Sequence, residues 1–320
     1  MSWDNIVGHE SIVQLLQGQL AKKRLAQSYL FVGLGGIGKR ALALELAKTL
    51  LCPSKHSVQA CDRCESCQKI PQGFYPDLLI MGPESETAQI GIDQVRTLTN
   101  WASLTPYAGV YKVALLEGAD HLTEEAAHAC LKLLEEPPEN SCLILTASSV
   151  TRLPRTLVSR CYVVRCAPQG IHKVASFLKE KEKLDFAQAQ RLAVLSGGRI
   201  GIALKLKAEG WSAKKAALEE LLAARRQKIV EVPLGDAPRL ELEEALEWFA
   251  SWWRDLLVLK LGGRENLLIH QEYLAQLQQV SREPLTLEVL LRQVDRTLKA
   301  HEAIQRNASP RIALAALLSG

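Results

Sequence analysis

The stretch GLGGIGKR, residues 33–40, follows the apolar run SYLFV and opens the Ala/Leu-rich segment KRALALELAKTLL. Strand, glycine loop and helix form the setting in which G-x-x-x-x-G-K reads as a phosphate-binding loop. Consecutive backbone N–H groups curl round an anion, and the lysine reaches the distal phosphates. Gly33, Gly35, Gly36, Gly38 and Lys39 supply those parts. The next position departs from the pattern. A Ser or Thr hydroxyl there normally ligates the magnesium that travels with a nucleotide, and this chain has Arg40. The loop by itself leaves open an ATPase, a former ATPase, or the same fold put to another use, and a glycine turn that only packs helix on strand is the bland alternative.

Outward from the loop, short apolar runs at residues 77–81 (DLLIM), 110–116 (VYKVALL), 142–146 (CLILT) and 162–165 (YVVR) alternate with helical patterns at 12–25, 92–104 and 123–135. Thr123 is placed to cap the last of these, and Pro137 and Pro138 close it. Such alternation predicts a parallel sheet covered on both faces. After Pro168 the strand signals stop. Residues 168–208, broken at Ser196, Gly197 and Gly198, predict a small helical domain, and helical periodicity then runs from Gly210 to the end. There Leu242, Ala245, Leu246, Phe249, Trp253 and Leu256 follow a 3.6-residue period. The predicted fold class is α/β followed by all-α, with domains at 1–167, 168–208 and 209–320.

With 320 residues, 48% of them hydrophobic, the chain can bury a large core. A net charge of +4 is too small to make the whole surface attract nucleic acid. Lys22, Lys23 and Arg24 read as a solvated helix face. The start, MSWDNIVGHE, lacks the basic-then-apolar pattern of a secretory signal, and no apolar run approaches the roughly 20 residues that span a bilayer. The expectation is therefore a cytoplasmic protein with reduced thiols. Cys52, Cys61, Cys64 and Cys67 form C-x8-C-x2-C-x2-C, a spacing that suits a closed, structural four-thiolate site for Zn²⁺. Cys130, Cys142, Cys161 and Cys166 read as small buried residues.

A nucleotide-hydrolysing partner of the loop is an apolar strand ending in two acids. The matching run is VALLEGAD, residues 113–120, with Glu117 at the metal-holding position and Gly118 where the catalytic acid is expected. Asp120 or Glu124 could stand in for it, although both also read as turn and helix-start acids. Arg160, in SRC before the last strand, reads from physics alone as a surface charge.

These landmarks occur together. WDNIVGHE, GLGGIGKR, the four cysteines, IGIDQVR, HLTEEAAHACLKLLEEPPENSCLILTAS, SRC and SGGRIGIAL resemble the AAA+ clamp-loader subunits of bacterial DNA polymerase III, and within that group the delta-prime branch. The resemblance spans nearly the whole chain, and is most specific at residues 52–67 and 122–161. It implies a RecA-like AAA+ core, a helical lid and a helical collar. It also implies a hetero-oligomer with the gamma/tau motor and delta subunits, inside a DNA polymerase holoenzyme, that opens the sliding clamp and loads it on primed DNA.

By the same resemblance Arg160 becomes an arginine finger offered in trans, Thr146 a polar sensor and Arg199 a second sensor. NASPRIALAALL, residues 307–318, matches the closing collar helix. Binding of ATP or ADP stays open, with Mg²⁺ placement weakened at Arg40. Arg40 and Gly118 fit a non-hydrolysing stator; the competing reading is a motor ATPase using Glu117 for Mg²⁺ and Glu124 or Asp120 for water. A zinc-finger DNA reader is disfavoured because no basic recognition helix follows the cysteines.

Overall fold

The computed structural model describes residues 3–54, 58–85, 88–209, 212–227, 237–305 and 308–318. Gly210, the expected start of the third region, and Asn307, at the head of the closing helix motif, lie outside them. Chain packing divides the protein into residues 1–205 and 206–320.

The first unit is built on five parallel strands: β1 (Ser28–Val32), β2 (Leu78–Met81), β3 (Lys112–Leu116), β4 (Ser141–Ala147) and β5 (Tyr162–Arg165), in the order β2-β3-β4-β1-β5. Helices α1 (Glu10–Ala21), α2 (Lys39–Leu51), α3 (Glu65–Lys69), α4 (Ile92–Ala102), α5 (Glu124–Glu135) and α6 (Arg155–Val158) connect and flank them. All five residues of β1 are buried. Tyr29 and Phe31 pack with Leu16, Leu42 and Leu46 on one face, while Leu30 and Val32 pack with Val95, Leu98 and Cys130 on the other. That two-sided burial is why β1 reads as a continuous apolar run instead of an alternating one. Thr123 caps α5 as its sequence predicts, its hydroxyl accepting from Ala126 N–H at 3.2 Å.

Several elements are shorter than their patterns, among them β2, α4, β3 and α1. The apolar run from residue 110 enters β3 only at Lys112, because the buried Asp77 carboxylate accepts N–H bonds from Tyr107 (2.6 Å), Ala108 (2.7 Å) and Gly109 (3.0 Å) and turns the chain there. Helix α1 stops at Ala21, with Lys23 in a left-handed conformation at φ 52°.

Beyond β5 come α7 (Ile171–Glu180), α8 (Phe186–Leu195) and α9 (Ile200–Glu209). The turn before α9 is tied down by Gln169 N–H to Gly198 O at 2.9 Å, and α9 begins against the glycine loop, with Gly201 N–H on Gly36 O at 2.7 Å.

The second unit is all helical among the described residues: α10 (Ser212–Gln227), α11 (Arg239–Lys260), α12 (Leu274–Arg282), α13 (Leu287–Gln305) and α14 (Pro310–Leu318). The six periodic residues of α11 are all buried, together with Trp252 and Asp255. The Asp255 carboxylate accepts from Ile269 N–H (2.8 Å) and His270 N–H (2.7 Å) and pairs with Arg254 at 2.8 Å. This fixes His270 among Trp248, Trp252 and Tyr273, with its Nε2 2.8 Å from Ser251 Oγ.

Burial pushes the His270 imidazole down to about 4. Between that value and the ordinary 6.5 the unfolded chain binds the extra proton, so stability is full above about pH 6.5 and falls as pH drops towards 4. Urea unfolding followed by tryptophan fluorescence is expected to lose about 2 kcal/mol between about pH 7 and about pH 5, and His270→Gln is expected to remove that part of the slope.

Candidate functional site

The carboxyl ends of β1, β3 and β4 meet at one edge of the sheet, the usual place for a ligand in an open α/β fold. Val32 leads into the glycine loop, Leu116 leads into Glu117, and Thr146 lies opposite Phe31 in β4. Beside them opens a cavity of about 580 Å³, walled by Gly36, Lys39, Arg40, Glu117 and Thr146 together with His9, Phe177 and Ile200. That volume is in the range of small-molecule sites. Lys39 Nζ donates to the loop carbonyls of Gly33 and Leu34, the latter at 2.9 Å. Burial lowers the pKa of Lys39, opposed by the charge of Asp120. His9 steadies the loop from the other side, its Nε2 2.8 Å from Ile37 O.

Of the three positions that depart from the ATPase pattern, Glu117 and Gly118 follow one another at the end of β3, and Glu117 is bonded to the third, Arg40 at the start of α2. Arg40 Nε donates to Glu117 Oε1 at 2.5 Å. Gly118 adopts a left-handed conformation, φ 66° and ψ 49°, and its N–H donates to Thr146 Oγ1 at 3.1 Å. A side chain there would cost about 1–2 kcal/mol of backbone strain. Its Cβ would also lie 3.3 Å from the His121 ring. Asp120 is committed elsewhere: its buried carboxylate accepts from the backbone N–H of Ser148 at 3.2 Å and from the Ser148 hydroxyl, with Arg152 at 4.0 Å. It buttresses the end of β4, and Glu124 stands exposed in the first turn of α5.

Arg199 precedes α9 with its Nε turned onto Ser196 O at 3.0 Å, while Ile200, Gly201 and Leu204 form the cavity wall at that point. Arg160 is elsewhere. It follows α6, pairs with Glu135 at 2.5 Å and donates from Nη1 to Thr156 O at 2.8 Å.

The four spaced cysteines converge. Cys52 caps the end of α2, Cys61 lies in the connecting loop, Cys64 precedes α3 and Cys67 sits within it. Their sulfurs all lie within 4.8 Å of one another. Cys52 and Cys64 sulfurs are 3.8 Å apart, and those of Cys61 and Cys67 are 3.9 Å apart. Tetrahedral thiolates at a zinc–sulfur distance of about 2.3 Å have sulfurs about 3.8 Å apart, so the set fits such an ion.

Backbone N–H groups point at the sulfurs: Cys61 to Cys52 Sγ and Cys64 to Cys61 Sγ, both at 3.4 Å. N–H groups of Arg63 and Cys64 pull the Cys61 thiol down to about 6, whereas burial raises Cys52 and Cys67. Away from the cluster, burial pushes Cys130 and Cys142 up to about 12, as befits inert core thiols. Cys161 is only half-buried, against expectation, because it sits at the surface junction between α6 and β5.

Residues 8–170 match the family described as DNA polymerase III, delta subunit, and residues 208–318 match its C-terminal family. DNA polymerase III subunit delta' of Pseudomonas aeruginosa is 34% identical over 257 residues, covering 79% of this chain and 78% of that protein. The chain belongs to the delta-prime family of DNA polymerase III subunits. The tau subunit of Bacillus subtilis is 33% identical over 159 residues, which is 50% of this chain but 28% of tau. A solved gamma-subunit-related protein from Thermotoga maritima aligns over 96% of this chain and 97% of its own, with a TM-score of 0.44 and 20% identity.

In this delta-prime chain, pattern reading missed three parts of the site. Gly201 lets α9 touch the loop, since a Cβ there would stand 3.0 Å from Gly36; the third glycine of SGGRIGIAL is too isolated to mark the contact. His9, buried in a left-handed turn at φ 58°, sits within WDNIVGHE with no pattern of its own. Ser148 gives no signal, because its partner Asp120 lies across the sheet.

Proposed function

We propose that the chain is a non-hydrolysing stator of the DNA polymerase III clamp loader. It works beside gamma/tau motor and delta subunits, helps load the sliding clamp on primed DNA in the cytoplasm, and offers Arg160 to ATP held by a neighbouring subunit. The observation that carries this reading is the state of the nucleotide edge. The glycine loop and Lys39 are whole and face a cavity, yet Arg40 is joined to Glu117 and the catalytic-acid position is a left-handed glycine. Phosphate can be held there, with Thr146 on the cavity wall and Arg199 close by, but no acid among the described residues of that wall is left to activate water. The four thiolates would hold Zn²⁺, which closes the segment between α2 and β2 as a structural cross-link. Among the described residues no helix is long and apolar enough to cross a membrane.

The motor reading needs Asp120 or Glu124 as the acid, and Asp120 is spent on Ser148. Turnover by the assembled complex separates the two. Lys39→Ala in this chain is expected to leave DNA-stimulated ATP hydrolysis within about twofold of the parent complex, whereas a motor subunit stripped of its phosphate lysine loses orders of magnitude. Collapse of turnover would reassign the chain as a motor.

A further inference from the structure

The magnesium position of the loop does not fit magnesium. That ion takes near-octahedral oxygen ligands at about 2.1 Å, and beside a phosphate loop it draws on a hydroxyl after the lysine and a free acid at the neighbouring strand end. Here those two positions are bonded to each other, Arg40 Nε to Glu117 Oε1 at 2.5 Å. The first presents N–H donors and positive charge where the ion needs an oxygen. The second has its carboxylate already matched to a cation. Neighbouring oxygens offer no substitute, since Asp120 is held by Ser148 and Thr146 Oγ1 accepts from Gly118 N–H. A divalent ion would sit against a guanidinium that it repels.

Other features suit phosphate oxygens. Arg40 lies in the first turn of α2, on the cavity wall, one residue from Lys39. The Glu117 bond uses Nε, and the Arg40 side chain is 56% exposed, so its terminal nitrogens remain reachable as a donor fork. Glu117 therefore acts as a positioning residue for the guanidinium.

We propose that Arg40, oriented by Glu117, is a built-in replacement for the divalent cation, so that this loop takes a nucleoside polyphosphate free of metal. The inference rests on the reading that the loop holds nucleotide. It makes the site a constitutive one, answering to ATP or ADP concentration and indifferent to magnesium.

Calorimetric titration of the full chain with ATP and with ADP, in excess Mg²⁺ and again in EDTA, tests it. The expected result is a dissociation constant that changes by less than about threefold between the two conditions, with Arg40→Ser weakening metal-free binding by about tenfold or more. Glu117→Ala, which keeps the guanidinium but removes the acceptor that aims it, is expected to weaken metal-free binding by about threefold or more and to have no further effect in Arg40→Ser. Binding by the parent chain only when Mg²⁺ is present overturns the inference and leaves the nucleotide reading standing. Equal metal-free affinity in Arg40→Ser overturns it as well. No binding in either condition removes the nucleotide reading itself, and this inference with it.

Discussion

Arg160→Ala, introduced into the assembled complex, is expected to lower ATP turnover by about three orders of magnitude or more, the scale of a lost arginine finger. Among the described residues the wall of the chain's own cavity does not include Arg160, so its charge has no part in phosphate chemistry there. What holds it now is weak. Its pair with Glu135 at 2.5 Å lies at the surface, with side chains 34% and 49% exposed, and such pairs contribute about 0–1 kcal/mol. The bond to Thr156 O aims the guanidinium without closing it in. A neighbouring γ-phosphate offers more charge than one carboxylate and can take the fork away from Glu135.

The same weakness makes the test clean. Loss of the surface pair should change the stability of the isolated chain by less than about 1 kcal/mol, so lost turnover cannot be put down to misfolding. Arg160→Lys keeps the charge but loses the planar fork, and should recover little of the rate. A turnover change below about twofold in Arg160→Ala ends the finger assignment.

Those features that are legible in the sequence are local. SYLFV and YVVR have the bounds of β1 and β5, KRALALELAKTLL is α2, and Thr123 caps α5, because period, capping and β-branching act over a few residues. The cysteine spacing is legible for a similar reason, since a tight cluster needs short connections. What stays hidden depends on register. Arg40 and Glu117 are 77 positions apart and meet only because β3 lies beside β4, which lies beside β1. Asp77 looks like the first residue of a strand, but its carboxylate holds the turn at residues 107–109. Asp120 could be a catalytic acid or a brace until Ser148 is placed beside it. Side-chain pairing across a sheet leaves no periodic trace, and this site is made of such pairings.

The second large effect concerns the four cysteines. Stripping metal from the chain with a strong chelator, or replacing Cys64 by Ser, is expected to lower stability by about 4–6 kcal/mol and the thermal midpoint by about 10–20 °C. The segment has little else to close it. Its apolar cluster comprises Cys52, Ala60 and Cys67, with Cys61 and Cys64 against them, and a core that small cannot offset the entropy of ordering the loop.

The loss should spread beyond the loop, because three contacts tie it to the sheet unit. Trp3 Nε1 donates to Val58 O at 2.9 Å, Ser66 Oγ to Tyr75 Oη at 3.0 Å, and the buried Lys48 amine bridges Glu45 and Asp62, each at 2.8 Å. When the loop opens, Lys48 keeps Glu45 but loses Asp62, and a buried cation left short of a partner is costly. Helix α2 carries both Lys48 and, at its other end, the loop lysine Lys39. Hydrogen exchange on the metal-stripped chain is therefore expected to speed up first around residues 58–70, then along the last turns of α2, while β1 and β4 keep their protection. A purified chain that carries no zinc by elemental analysis, and whose midpoint moves by less than about 1 °C on chelation, would show that the cysteines close this segment without a metal.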